Sequence, residues 1–140
     1  MTDIALAYEI AVRAHKGQVD KAGKPYIMHP MAVAEMVDGR YEKIVALLHD
    51  VPEDTPVDVE ALRKLFDDTV ADALDCLNHR KDEDYMDYIH RVKENKLATK
   101  IKLADIEHNM DLSRLEVVDE KALKRVEKYK RAKEYLLSAS

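Results

Sequence analysis

Residues 44–55 read Ile44-Val45-Ala46-Leu47-Leu48-His49-Asp50-Val51-Pro52-Glu53-Asp54-Thr55, an apolar run that ends on a histidine and an aspartate. Five apolar residues in a row suit the inside of a protein, and Tyr41 to His49 is predicted to form a central buried helix. Pro52 has no N–H to continue a helical ladder, so the chain is predicted to turn there and bring Glu53 and Asp54 close to His49-Asp50. Like charges crowded in this way cost free energy unless a cation or a proton neutralises them. Adjacent His and Asp can offer an imidazole nitrogen and a carboxylate oxygen to one ion, so the segment predicts a metal site.

Two flanking segments supply further ligands. Upstream, Pro25-Tyr26-Ile27-Met28-His29-Pro30 sets His29 just before a proline suited to the first position of a helix. Downstream, Lys102-Leu103-Ala104-Asp105 reads as helix, with Asn109 one turn later on the same face. The predicted ligand set is His29, His49, Asp50 and Asp105. Two imidazoles and two carboxylates suit a divalent metal of middling hardness, Mn²⁺ first, with Fe²⁺, Zn²⁺, Co²⁺ or Ni²⁺ as alternatives. Each residue has a plainer reading: His29 as a hydrogen-bonding helix residue, Asp105 in a salt bridge with Lys102 or Arg114, Glu53-Asp54 as an exposed acidic turn, Asn109 as a surface amide. His15, His79, His90 and His108 read as structural or surface residues.

The rest of the chain is helical by pattern. Glycine (3) and proline (4) are scarce among 140 residues, and residues 1–140 are read as one all-α helical bundle without repeat or linker. Thr2 or Asp3 is predicted to cap a helix whose apolar face includes Ala7, Ile10, Ala11 and Ala14. Gly17 to Met28 reads as a polar loop, followed by a short helix from Pro30 that Gly39 would stop. Further helices are predicted near 58–66, 68–77, 84–94, 97–110 and 119–137. The last is amphipathic through Leu123, Val126, Tyr129 and Leu136, with its lysines on a solvated face.

The bulk properties exclude several classes. The one cysteine, Cys76, permits no internal disulfide and suits a reducing cytoplasm; it reads as a small core residue. Asp3, Glu9 and Arg13 in the first helix argue against a signal peptide, and no apolar run approaches the ~20 residues that span a bilayer. A net charge of −5 speaks against a nucleic-acid surface but leaves room for a small anionic ligand held by a metal and a few lysines. A homo-oligomer is compatible with the sequence.

The segments Ala14-His15-Lys16-Gly17-Gln18, Gly23 to Pro30, Ala46 to Thr55, Lys102 to Asp105 and His108-Asn109-Met110 together resemble the HD phosphohydrolase superfamily, specifically the hydrolase domain of the RelA/SpoT proteins. The resemblance covers residues 14–110. It implies an HD-type helical fold, one Mn²⁺, and hydrolysis of the 3′-diphosphate of the alarmone ppGpp by a metal-activated water. The chain is similar to small stand-alone alarmone hydrolases. The resemblance also implies a catalytic role for Glu53 and Asp54, and places Lys21 near the substrate phosphates, where a solvated loop lysine is the plainer alternative. Asp20, Asp111 and Leu112 depart from the pattern, which commonly carries arginine, arginine and threonine there. Two alternatives stand beside this function: an HD phosphohydrolase acting on another phosphorylated nucleotide or dinucleotide, and a non-catalytic module that binds a nucleotide or metal.

Overall fold

The computed structural model describes residues 2–138, and the side chain of Arg114 lies outside that description. The helices in chain order are α1 (Asp3–Ala14), α2 (Met28–Glu35), α3 (Arg40–Leu48), α4 (Val51–Asp54), α5 (Val59–Leu65), α6 (Asp68–Leu77), α7 (Tyr85–Lys93), α8 (Lys96–Met110) and α9 (Glu120–Leu137), with a 3-10 turn at Leu112–Arg114. Among the described residues there is no strand, only an isolated bridge between Val19 and Pro25 that pins the loop before α2. The all-α expectation holds.

Small polar and acidic side chains start most of the helices. The side chains of Thr2, Asp58, Asp67, Asp84, Asn95 and Asp119 each accept a backbone N–H at the first turn of α1, α5, α6, α7, α8 and α9. Each such cap contributes about 1 kcal/mol by satisfying a donor the helix itself leaves unpaired.

Helix α3 is the axis of the molecule. Ile44, Val45, Ala46, Leu47 and Leu48 are all buried, and α3 packs against α1, α2, α6 and α8. A helix surrounded on every side has no face to leave polar, which is why this segment reads as an unbroken apolar run. The buried side chains form one cluster from Ala7 to Leu136.

Three local expectations are corrected. Helix α2 begins at Met28 rather than Pro30, so His29 lies inside its first turn; Pro30 is still early enough that its missing N–H costs nothing. Gly39 does not stop α2, which ends at Glu35. It precedes α3 at φ 105°, a left-handed conformation that disfavours any residue with a Cβ. On α9 the buried face runs through Ala122, Ala132 and Leu136, with Tyr129 half-buried, whereas Leu123 is exposed. Alanines let α9 lie close against its neighbours, so the contact stripe follows small side chains rather than large ones.

Candidate active site

Two helices and one junction bring the four predicted ligands together. α2 carries His29 and α8 carries Asp105. α3 ends at Leu48, and His49 and Asp50 form the short link to α4, where Pro52 sits within the first turn. His29 Nε2 lies 2.7 Å from Asp105 Oδ1 and 3.6 Å from Asp50 Oδ2. His49 Nε2 lies 3.2 Å from Asp50 Oδ2 and 3.4 Å from Asp105 Oδ1. Residues 29, 49 and 105 are buried.

The chemistry of the donors fits a cation. His49 Nδ1 is 2.6 Å from the Ala46 carbonyl, which can only accept, so Nδ1 carries the proton. In the neutral ring Nε2 then presents a lone pair toward the oxygens of two carboxylates. Acceptor facing acceptors in a buried site calls for a positive charge between them, a proton or a metal ion. In the metal-free protein the proton takes that place. Burial opposes the charged imidazole, but Asp50 and Asp105 outweigh it and hold His49 well above the usual histidine range. Burial likewise opposes the charged carboxylates, yet the His49 imidazolium brings Asp50 down to about 2, and Lys102 holds Asp105 well below the ordinary range.

A surrounding set of side chains fixes the ligands. Lys102 Nζ donates to Asp105 Oδ2 at 3.0 Å, and Asn109 Nδ2 donates to Asp105 Oδ1 at 3.0 Å. Of the plainer readings of Asp105, the Lys102 salt bridge is therefore present alongside the cluster; the side chain of Arg114 is outside the described residues. Asn109, one turn beyond Asp105, is not a free surface amide. His108 was not among the expected site residues, yet its Nδ1 lies 2.6 Å from His29 Nδ1 and its ring stacks on His29 at 4.8 Å. Its position three residues past Asp105 on one helix face was the available signal.

Glu53 and Asp54, on α4, form a second group with Asp50, their carboxylate oxygens within 4.8 Å of one another. Glu53 Oε1 accepts the His79 backbone N–H at 3.0 Å, so His79 reaches the site through its main chain. Partial burial, then the charge on Asp50, pushes the Glu53 and Asp54 carboxyls above their ordinary values.

These residues open onto a cavity of about 700 Å³, lined also by Lys21, Lys102, Arg125 and Lys128, and by Tyr26, Tyr85, Tyr88 and Tyr129. On α9, Arg125 is half-buried, a correction to the solvated-face reading, while Lys128 is exposed as predicted and also lines the cavity. Lys128 Nζ sits 4.5 Å from the Tyr85 ring centroid and 5.2 Å from that of Tyr129. Burial, and then the charge of Lys102, lowers the Lys128 ammonium below the usual lysine range. Lys121, Lys124 and Lys130 are exposed, as predicted.

The departing residues are engaged by their own turns. Asp20 Oδ1 accepts the backbone N–H of Ala22 and of Lys24, both at 2.9 Å. Asp111 Oδ1 accepts Ser113 N–H at 3.0 Å and Ser113 Oγ–H at 2.6 Å. Leu112 lines the cavity.

Comparison with known proteins agrees with this architecture. A family model described as "HD domain" matches residues 7–110. The bifunctional (p)ppGpp synthase/hydrolase SpoT of Escherichia coli is 39% identical over 119 residues, covering 74% of this chain and 17% of that protein. A guanosine-3′,5′-bis(diphosphate) 3′-pyrophosphohydrolase of Haemophilus influenzae is 35% identical over 116 residues, covering 72% of this chain and 17% of its own length. The chain therefore spans about a sixth of these curated relatives. A solved structure of a metazoan ortholog of SpoT, described as hydrolysing ppGpp, superposes with a TM-score of 0.78 at 22% identity, covering 99% of this chain and 87% of its own. At that identity the likeness is one of fold.

Proposed function

The chain belongs to the HD-domain family, and from that premise we propose that it is a divalent-metal-dependent phosphohydrolase acting on ppGpp as a 3′-pyrophosphohydrolase. The observation that carries this reading is the convergence of His29 Nε2, His49 Nε2, Asp50 Oδ2 and Asp105 Oδ1 beside two further acids in a cation-lined cavity. Those four atoms would hold the metal, and Mn²⁺ is our choice on donor hardness. When bound, such an ion supplies Lewis acidity, making water more acidic and offsetting phosphoryl charge.

The protein's own groups do the rest. The Ala46 carbonyl keeps the proton on His49 Nδ1 and leaves Nε2 for the ligand role. Hydrolysis forms a bond from water oxygen to phosphorus and breaks the bond from phosphorus to the ribose 3′-oxygen, giving GDP and pyrophosphate. A proton must leave the water and one must reach the departing oxygen. The His79 N–H orients the Glu53 carboxylate through Oε1, and we assign proton uptake to this carboxylate, with Asp54 as the second proton-handling group. Burial and the charge on Asp50 raise their affinity for protons, which suits a proton-accepting role. Lys21, Lys102, Arg125 and Lys128 line the same cavity and would bind the phosphates by charge-assisted hydrogen bonds.

A second substrate, a less charged phosphorylated nucleotide or dinucleotide, is favoured by one observation: the carboxylates of Asp20 and Asp111 stand at positions where the resembled enzymes carry cations. A purely binding module has no use for Glu53 and Asp54 beside a complete ligand set. The single cysteine, a free thiol, suits the cytoplasm as the working compartment. Among the described residues no helix is long and apolar enough to cross a membrane. The test is release of pyrophosphate and GDP from ppGpp by the purified protein with Mn²⁺, beside the same reaction with a chelator and a panel of phosphorylated nucleotides. Mn²⁺-dependent release establishes the reading, and turnover of a different nucleotide with none of ppGpp replaces the substrate.

A further inference from the structure

We propose that Tyr26 is a positioning residue for the metal site, holding Asp50 from outside the cluster within a brace completed by His15 and Gln18. The inference rests on the metal-dependent reading above. Asp50 is the most exposed of the four ligands, its side chain 16% accessible against 4–7% for the others. Asp105 is held by Lys102 and Asn109, and His49 by the Ala46 carbonyl. Asp50 lies at the link between α3 and α4, where no helix fixes its side chain. Among the described residues, the donor that holds it from outside the cluster is Tyr26, whose hydroxyl donates to Oδ2 at 2.7 Å. That is the oxygen facing both imidazoles. A carboxylate oxygen has lone pairs for more than one partner, so this bond aims Oδ2 without consuming it.

Tyr26 is itself held. Its ring lies 4.9 Å from the His15 ring and 5.9 Å from the His29 ring, and its backbone N–H donates to the Gln18 carbonyl. His15 is 2% exposed, and its Nδ1 lies 2.9 Å from Gln18 Oε1, an acceptor, so Nδ1–H is the donor. Gln18 Nε2 in turn donates to the Asp54 carbonyl at 3.1 Å. The loop before α2 therefore grips the acidic segment at both ends, at the Asp50 side chain and at the Asp54 main chain, from one buried histidine. A helix of four residues cannot fix its own orientation by internal hydrogen bonds, and this loop does it instead.

The test uses Tyr26→Phe, which keeps the ring against His15 and His29 and removes only the donor. Mn²⁺ affinity of the metal-free proteins is read by titration calorimetry, and thermal stability is read with and without Mn²⁺. Loss of a group that orients a ligand typically weakens metal binding 10- to 100-fold, and that is the change expected, with a correspondingly smaller Mn²⁺-induced rise in Tm. A merely structural tyrosine gives the opposite pattern: a lower Tm without metal, an unchanged Kd and an undiminished rise. That result overturns the proposal while leaving the hydrolase reading intact. Wild-type protein that binds no Mn²⁺ overturns both. Wild-type protein that binds Mn²⁺ but hydrolyses no nucleotide, with Tyr26→Phe weakened in binding, removes the hydrolase reading and keeps the brace.

Discussion

Replacing Lys102 by methionine tests the electrostatic economy of the site without touching a ligand. Methionine keeps the unbranched stem and removes the ammonium, which is 3.0 Å from Asp105 Oδ2 with the side chain 11% exposed. It also lies over the Tyr88 ring at 5.1 Å. Two unit charges at that distance attract by about 5–6 kcal/mol at an effective dielectric constant of 20. Desolvation offsets part of this, and removing one partner of a buried pair costs roughly 3–5 kcal/mol in practice. For a chain of this size that lowers Tm by roughly 10–15 °C. Burial opposes the Lys102 charge, but Asp105 outweighs it and holds the ammonium well above the usual lysine range. Its contribution is therefore fully present below the unfolded lysine value of about 10.4 and lost only as pH rises through the folded value, so the deficit is the same at pH 6 and pH 8. Manganese is expected to narrow the gap. A cation added to Asp105 replaces the one removed, and without Lys102 repelling it the ion binds more tightly. Each tenfold in Kd adds about 1.4 kcal/mol of stability at fixed excess metal. Urea unfolding with and without Mn²⁺ reads both effects. A metal-free variant as stable as wild type, or an Mn²⁺ gain no larger than the wild type's, refutes the reasoning.

Three further outcomes are expected. The purified protein carries close to one transition metal per chain by elemental analysis, and His49→Ala or Asp50→Ala loses it together with activity; full occupancy in His49→Ala removes that residue from the ligand set. Glu53→Gln and Asp54→Asn keep the metal and lower kcat by about 10²-fold or more. Because both carboxyls are raised in the folded state, ionising them destabilises the fold as pH rises from about 4 through their folded values. The metal-free amide variants are therefore more stable than wild type at pH 7, an advantage that vanishes below pH 4 in urea titrations; wild-type kcat in both makes the pair an ordinary acidic turn. Arg125→Ala and Lys128→Ala raise KM for ppGpp roughly 10- to 150-fold each, the scale of a hydrogen bond to a charged group, with kcat little changed; an unmoved KM in both places the phosphates elsewhere.

The central helix and the approach of Glu53 and Asp54 to His49-Asp50 were legible because their causes are local. An unbroken apolar run means burial on all sides, and a proline three residues past His49 forces the acids of α4 back toward it. His108 was not legible. Its one mark, the spacing of three from Asp105, does not by itself distinguish a surface ring from one stacked on His29, 79 residues away. The face of α9 was misjudged for a related reason. Leucine at 123 outweighs alanine at 122 on any hydrophobicity scale, but close packing selected the alanine, and that rotation aimed Arg125 and Lys128 at the cavity. Asp20 shows the limit of reading a departure by charge alone, since its carboxylate also closes the turn from 20 to 24, a duty arginine has no acceptor to perform.

Arg125, Lys128 and Tyr129 lie on α9, beyond the segment 7–110 that matches the HD domain. The ligand cluster and the acids lie wholly within it. The cations that line the cavity come from both stretches, Lys21 and Lys102 from within that segment and Arg125 and Lys128 from outside it. A change confined to α9 would alter two of those four cations and leave the His-Asp cluster in place. The segment 7–110 thus contains the whole cluster and only half of the charge that faces it across the cavity.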